Sequence, residues 1–463
     1  MKNKLFIKTI PADRFTPVVV FRKLNAKVLL ESATLEIGKS RYSIILLKEA
    51  FRIILDTNGV FRQDDKGVKN LSSNRKDYLK ILKQYAKQID VTSKNDLPIP
   101  ACGIGYLGYE TVTLFDKVKL SKQRDDIKIP DAIFIFGCIF AVFDHYKDEI
   151  HIAGIGKNNK IEREVDSVIT KLLDNDFKAY EMNSTKFGYK GDIYEGKDDF
   201  IEGVKIIKEH INKGDIVQAV LSRKINIKTD LPPMDAYCRL RRENPSPYLF
   251  YFDFGDFQVL GASPELMVSL EDRTAMIKPI AGTRKRGQDK KEDLALEREL
   301  LNDEKEKAEH LMLVDLARND LGRTAKSGSV FPRDTFFVER YSHVMHIVSE
   351  IEAQLDKGYD AYDLIRTTFP AGTVSGAPKI KAMEIISKLE KLKRGPYAGL
   401  IGHFDINGNF DSCITIRSFV HKKDVYYVQS GAGIVYDSVP EKEFEETVYK
   451  AKASIRALGV DVS

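Results

Sequence analysis

VYYVQSGAGIVYDSVPEKEFEETVYK, residues 425–450, joins three physical signals in one stretch. Residues 425–429 alternate and are rich in Tyr and Val, which predicts a strand. Ser430-Gly431-Ala432-Gly433 then nearly removes the side chains, so backbone N–H groups can approach a ligand closely. An anion suits such bared donors. Ser438-Val439-Pro440-Glu441 opens a helix through an S-x-x-E capping box and a proline in the first turn. Phe444, Val448, Ala451 and Ile455 recur at helical spacing as its core-facing stripe. Strand, glycine loop and acidic helix make one half of a candidate active site. A tight connection without a ligand is the bland alternative.

Outward from there, 463 residues suit two or three domains. Hydrophobic content of 43% beside 30% charge is that of a soluble globular chain. The net charge of +5, from 73 basic and 68 acidic side chains, is close to balance, and no basic block interleaves with aromatics. No nucleic-acid partner is indicated. Cys102, Cys138, Cys238 and Cys413 lie far apart with no C-x-x-C pair, which argues against a zinc site or disulfide framework and for a reducing compartment. The N-terminus has no long apolar segment or cleavage site, and the apolar run 132–143 is short of the ~20 residues a membrane helix needs. The expected location is cytoplasmic, with no membrane partner.

Runs at 5–7, 17–21, 27–32, 41–47 and 51–55 read as strands, and 132–143 with 149–155 as a hairpin. The polar interval 174–197 lacks a hydrophobic period and predicts a boundary between units 1–180 and 190–460. Beyond it, a helix at 198–213 stops at Gly214, and a strand at 215–227 is interrupted by Gln218, whose amide must find partners or serve structure alone. One long helix is expected over 294–321 after a charged, mobile segment, 284–293. Glu309 there adjoins an apolar run, which is costly unless the carboxylate is paired or metal-bound. Alternation in CITIRS (413–418) puts Cys413, Thr415 and Arg417 on one face, with the arginine placed to fork a carboxylate. No G-x-x-x-x-G-K-[ST] loop occurs, so the expected anion is a carboxylate, not a nucleotide phosphate. The fold class is α+β: large mixed or antiparallel β-sheets flanked by helices.

PIAGTR (279–284), DEKEKAEHLMLVDLARNDLGR (303–323), HVMHIVSE (343–350), TTFPAGTVSGAPK (367–379), RGPYAGLIGHF (394–404), CITIRS and QSGAGIVYDSVPEKEFEET (429–447) together resemble the chorismate-utilising enzymes, most closely the anthranilate synthase component I branch. The resemblance covers roughly residues 195–455. It implies Mg²⁺ held by Glu309 and Glu446, a pairing that suits an ion using one or two protein carboxylates plus water and substrate. It also implies substrate contacts from Gly282, Thr283, Tyr397, Arg417, Gly431, Ala432 and Gly433, with Lys450 steering a carboxylate or pairing with Glu446. Glu265 matches the family's general acid, which requires a pKa raised by burial. His346, with Thr373 nearby, matches the histidine of the elimination step; a structural histidine is its bland alternative.

Two positions discriminate among relatives. Those that add water to chorismate resemble this chain with a lysine at Gln218, and ammonia needs no such base. Ala281 replaces the lysine of the aminodeoxychorismate synthases. The resemblance therefore implies amination of chorismate and loss of pyruvate to give anthranilate, the first step of tryptophan synthesis. Aminodeoxychorismate synthase and a non-catalytic tryptophan-binding homologue are the alternatives. With no glutaminase motif, ammonia is expected from a separate glutamine amidotransferase subunit, in a heterotetramer of two synthase and two glutaminase chains. L-Tryptophan is the expected inhibitor. Its site matches Ser32, after Leu30-Glu31, together with Pro247, Tyr248 and Leu249.

Overall fold

A computed structural model describes residues 3–34, 38–39, 41–89, 91, 95–157, 160–174, 187–341 and 344–460. Within them, antiparallel ladders join 22 strands into one hydrogen-bonded network, as the α+β pattern requires. The longest ladders pair Tyr42–Asp56 with Ala132–Asp144 and Gln218–Thr229 with Val425–Ile434. Helices Lys197–Asn212 and Pro440–Ala457 cover the rear of the second ladder, where Phe200, Val204 and Phe444 pack on Ala219, Leu221, Ala432 and Ile434. Among the described residues, no helix is long and apolar enough to cross a membrane, and all four cysteines are free.

The centre of the expected boundary, 175–186, lies outside the described residues. Strands from the two sides of it pair directly. Val28–Glu31 lies against Tyr248–Asp253, with Glu31 opposite Leu249, and Ile104–Leu107 lies against Leu400–Phe404.

Several local expectations give way to competing physics. Pro17–Lys23 is a helix, not a strand, because the Thr16 side chain caps Val19 N–H and Pro17 stands at the first helical position. The single long helix is two, Lys290–Asn302 and Glu304–Gly322. Asp303 separates them in extended geometry and accepts from the N–H groups of Lys305 and Glu306. The 284–293 segment is held by ion pairs, Arg284 to Glu299, Asp303 and Glu306, and Arg286 to Asp293. The S-x-x-E capping box does not form. Val439 is the cap, without a side-chain bond, and Ser438 Oγ accepts instead from Val435 N–H at 3.0 Å. The shared face of Cys413, Thr415 and Arg417 also fails, since the Phe410–Ile414 strand ends before Arg417, whose φ is +52°.

One buried pair ties these pieces together. Arg394, 1% exposed, bonds both oxygens of Glu390 at 2.7 and 2.8 Å and the carbonyls of Val220 and Val374. Replacing Arg394 by Met leaves a buried carboxylate uncompensated, so unfolding free energy should fall by about 3–5 kcal/mol. Lys391→Met removes only an exposed pair with Asp199 and should cost no more than about 1 kcal/mol. Urea unfolding of both variants measures the contrast; equal small losses contradict it.

Candidate active site

The glycine stretch is not a loop. Residues 430–433 continue the Val425–Ile434 strand, with Gly431 opposite Ser222 and Gly433 opposite Val220. The ladder with 218–229 therefore takes up backbone groups that the loop reading left bare. What the glycines supply is space. A Cβ on Gly433 would stand 2.8 Å from Gln218 Nε2, and one on Gly431 would stand 2.8 Å from Leu221 O and 3.0 Å from the Tyr397 hydroxyl. Gln218 and Tyr397 thus lie flush against a floor without side chains. Ala432 points to the rear and is fully buried in the core, so only its backbone belongs to this face.

Carboxylates from two helices meet above this floor. Gln218 Nε2 donates to Glu309 Oε1 at 3.0 Å. Burial raises the Glu309 carboxyl, and the charges of Glu306 and Glu446 raise it further while Gln218 opposes them. On the facing helix, Glu446 pairs with Lys450 at 2.6 Å, and Lys450 Nζ also donates to Gly431 O at 3.1 Å. Burial raises Glu443 too, with Glu446 adding repulsion. Glu306 and Glu443 escaped the sequence reading. Their signal was an E-x-x-E spacing, 306–309 and 443–446, which puts both acids of each pair on one helix face. Among the described residues, no three His, Cys, Asp or Glu side chains converge into a protein-only metal cage. A hard cation that keeps water and takes a substrate carboxylate needs no such cage.

Arg417, His346 and Glu265 lie on other elements of the same face. Arg417 is half-buried, its Nη1 donates to Lys450 O, and among the described residues no carboxylate pairs with it. His346 Nδ1 lies 2.8 Å from Gly282 O and 3.1 Å from Thr283 Oγ1. A carbonyl only accepts, so Nδ1 carries the proton and Nε2 presents a lone pair. Burial lowers the His346 pKa and keeps the ring neutral. Gly282 and Thr283 belong to the Ile280–Lys285 strand, where a bulge and φ of +62° at Gly282 turn that carbonyl toward the ring. Tyr341, also missed, sets its ring edge-on to His346 at 5.5 Å and donates to Glu339 at 2.9 Å. Glu265 is 9% exposed, and burial pushes its carboxyl up to about 7, against the lowering influence of Thr373 and Lys450. The Thr373 hydroxyl is buried and makes no well-formed bond, which leaves it open to a ligand.

Ser32, Pro247, Tyr248 and Leu249 come together elsewhere, lining a separate cavity of about 440 Å³ between the paired strands. Tyr248 Oη donates to Asp411 at 3.2 Å, and Glu31 accepts from Tyr237 at 2.7 Å.

The Glu265 shift has a definite sign. Its pKa is higher folded than unfolded, so between pH 4.5 and about 7 the folded chain holds a proton that the unfolded chain has released. The associated stability is complete below 4.5 and is lost as pH rises through 7. Glu265→Gln keeps the neutral form at every pH. It should match the parent in denaturant unfolding in mild acid and exceed it by on the order of 2–3 kcal/mol in mild base; a constant difference across pH refutes the shift.

Comparison with known proteins fits this arrangement. The family described as chorismate binding enzyme matches residues 33–456. Anthranilate synthase component 1 of Spirochaeta aurantia is 44% identical over 464 residues, spanning 98% of this chain and 96% of that protein. Its counterpart in Acetivibrio thermocellus is 40% identical over 474 residues, spanning 96% and 93%. The crystal structure of anthranilate synthase component I from Streptococcus pneumoniae TIGR4 superposes with a TM-score of 0.80 at 34% identity, covering 96% of this chain and 98% of that one. The chain belongs to the chorismate-binding enzymes, in the branch of the anthranilate synthase component 1 proteins.

Proposed function

We propose that this chain aminates chorismate with ammonia and expels pyruvate to form anthranilate, the committed chemistry of tryptophan synthesis. The observation that carries the amination reading is the Gln218–Glu309 bond of 3.0 Å. It aims Nε2 at Glu309 and leaves the amide oxygen to accept an N–H of incoming ammonia. An amide cannot deprotonate water, and neutral ammonia needs no base. Ala281, opposite Ile347 in its ladder, supplies no amine that could attack the ring covalently.

The residues fit a magnesium ion: burial, then the nearby charges of Glu306 and Glu446, raise the Glu309 carboxyl, and a divalent cation would relieve that excess of negative charge. Bound to Glu309 and Glu446, Mg²⁺ supplies charge neutralisation and a fixed anchor for the ring carboxylate of chorismate. Arg417, without a carboxylate ion pair among the described residues, receives the enolpyruvyl carboxylate, and Tyr397 with the glycine floor lets the ring lie close. Ammonia adds at the ring carbon beside the carboxylate-bearing one. Glu265, protonated near neutrality, gives its proton to the departing hydroxyl, which leaves as water, and its carboxylate takes back a proton from the ammonium group formed on addition. His346 Nε2 then takes the proton from the aminated carbon as the C–O bond to the enolpyruvyl group breaks; the enolpyruvate takes up a proton to leave as pyruvate, and the ring becomes aromatic.

The source of ammonia is a separate glutamine amidotransferase subunit in a cytoplasmic heterotetramer. The 440 Å³ cavity takes L-tryptophan as feedback inhibitor, its indole against Pro247 and Tyr248 and its polar end at Ser32. Leu249 changes its affinity more than its existence.

Chorismate, Mg²⁺ and an ammonium salt should yield anthranilate fluorescence; a non-aromatic amino product instead overturns the reading. Glu265→Gln should lower kcat by about 10²–10⁴-fold, and parental kcat should decline as pH rises through 7. Glu309→Ala and Glu446→Ala should abolish magnesium-dependent turnover, whereas turnover unchanged by chelation removes the ion from the scheme. Ser32→Arg fills the cavity, so it should remove inhibition by tryptophan while leaving kcat near that of the parent. Inhibition that survives this change places the effector elsewhere.

A further inference from the structure

Each of the two carboxylates assigned to magnesium is followed at once by a buried polar residue in a mostly apolar stripe. Helix Glu304–Gly322 buries His310, Leu313, Val314, Ala317 and Leu321 at helical spacing, and His310 is fully shielded from solvent. Helix Pro440–Ala457 buries Phe444, Thr447, Ala451 and Ile455 in the same way, and Thr447 is equally shielded. Glu309 and Glu446 each stand one residue earlier, about 100° round the axis from that polar residue. An imidazole or a hydroxyl buried where a leucine could pack costs free energy unless its polar atoms are used.

Both are used on the strands beneath. His310 Nε2 shares a hydrogen bond of 2.7 Å with Ser349 Oγ, in the strand Val344–Gln354 that also carries His346. Ser349 Oγ accepts in addition from Phe336 N–H at 3.1 Å, at a bulge in the neighbouring strand Phe331–Arg340, and the Phe336 ring stands edge-on to the imidazole at 5.0 Å. Ser349 N–H donates to Pro279 O at 3.2 Å, which ties in the approach to the Ile280–Lys285 strand. On the other helix, Thr447 Oγ1 accepts from Arg223 Nε at 2.7 Å, and Thr447 O accepts from Ser430 Oγ at 2.8 Å. Arg223 and Ser430 are direct partners in the ladder under that helix, so two strands grip one helical residue. Thr447 Oγ1 gives its own proton to Phe444 O at 2.7 Å, which fixes its rotamer.

Apolar packing resists separation of helix and sheet but is non-directional, so it resists axial rotation less. A hydrogen bond weakens steeply with angle. About 20° of rotation moves a side-chain end at ~5–6 Å from the helix axis by about 2 Å. Mg²⁺ holds oxygen at about 2.0–2.1 Å in near-ideal octahedral geometry, so a slip of that size breaks the coordination. We propose that His310 and Thr447 are positioning residues, polar pins that fix the rotation of the two helices and so the aim of Glu309 and Glu446 at one divalent cation. The inference rests on the magnesium reading and extends it to residues that act only through those carboxylates.

The test is calorimetric titration of the full chain with Mg²⁺, alone and with chorismate but no ammonia, set beside thermal unfolding. His310→Phe and Thr447→Val keep the approximate shape and lose the side-chain bonds to the strands; each should weaken Mg²⁺ binding by about tenfold or more. The Mg²⁺ needed for half-maximal turnover should rise in step, with kcat largely recovered at saturating metal. His310→Gln and Thr447→Ser keep a polar atom in reach and should restore most of the affinity. Ser349→Ala and Ser430→Ala remove bonds to the same two residues from the strand side, which keeps the test open if a helix variant misfolds. Tyr78→Phe deletes a buried bond to Ile53 O on another part of the fold, so it should lower the unfolding temperature and leave Mg²⁺ binding as it was. If the bond-deleting variants bind Mg²⁺ as tightly as the parent, or if Tyr78→Phe weakens binding as much as they do, His310 and Thr447 are ordinary core residues and the proposal is wrong. If the parent binds no Mg²⁺ under either condition and chelation leaves its turnover unchanged, the magnesium reading itself fails and this inference falls with it.

Discussion

The Arg394 guanidinium is surrounded by acceptors and shut off from water, and much of the molecule is arranged to satisfy it. Glu390 neutralises it, then uses one oxygen to accept from the Ser222 N–H and hydroxyl. That oxygen thus closes an edge of the Gln218–Thr229 strand that no neighbouring strand covers there. The Val374 carbonyl fixes the turn that carries Thr373, while the rings of Tyr109 and Tyr397 lie 4.4 and 5.8 Å from the charge. Glu110 accepts from the N–H groups of Arg394 and Gly395. One desolvated charge thereby registers an N-terminal turn, the cleft floor and the Thr373 turn against one another. A lysine could not span these partners, because only the planar fork reaches several acceptors at once.

Around that frame the cleft is left electrostatically incomplete on two sides. The helices bearing Glu309 and Glu446 bring a like charge up to Glu309, whose carboxyl burial already raises. Across the floor, Arg417 carries a charge that burial disfavours, and among the described residues no carboxylate forms an ion pair with it. Lys450 stands between, bonded to Glu446 and to the Gly431 carbonyl, and lowers the Glu265 carboxyl against the burial that raises it. An excess of negative charge at one end and of positive charge at the other suits a substrate with two carboxylates, one met by a cation and one by arginine.

Much of this could be read from the residues in order, and the failures have a common form. Gln218 and Glu309 stood out because each breaks a local pattern, a polar group in an apolar run or an acid beside one; Arg417 came from an alternation that ends before it, and Glu446 only from the family resemblance. The strands with strong alternation appeared where expected. What local pattern could not carry was pairing at a distance. Gly431 and Gly433 looked like a loop until the partner strand showed why they lack side chains, namely to make room for Tyr397 and Gln218. Nothing local marks Arg394 in RGPYAG as buried, since its acceptors come from residues 220, 374 and 390. The break at Asp303 was local but masked, because helical periodicity runs on through both helices and only the side-chain cap divides them. Thr16 and Pro17 overrode the β-branched run after them in the same way.

Glu265 and the cavity at Ser32 are joined more closely than their separation in sequence implies. The strand Phe410–Ile414 forms one wall of that cavity through Asp411, Ser412 and Cys413. Its Ile414 N–H donates to the Glu265 carbonyl at 3.0 Å, and the Met267 N–H donates to Ser412 O at 2.9 Å. Ser412 Oγ closes the link by donating to Val268 O at 2.7 Å. Residues 265–268 and 412–414 are therefore held together by these three hydrogen bonds. A ligand that spread the cavity wall would pull on the backbone of Glu265 without touching the cleft. Two sites separated by a single ladder need no long relay to be coupled, only a preference of the ligand for one position of the shared strand.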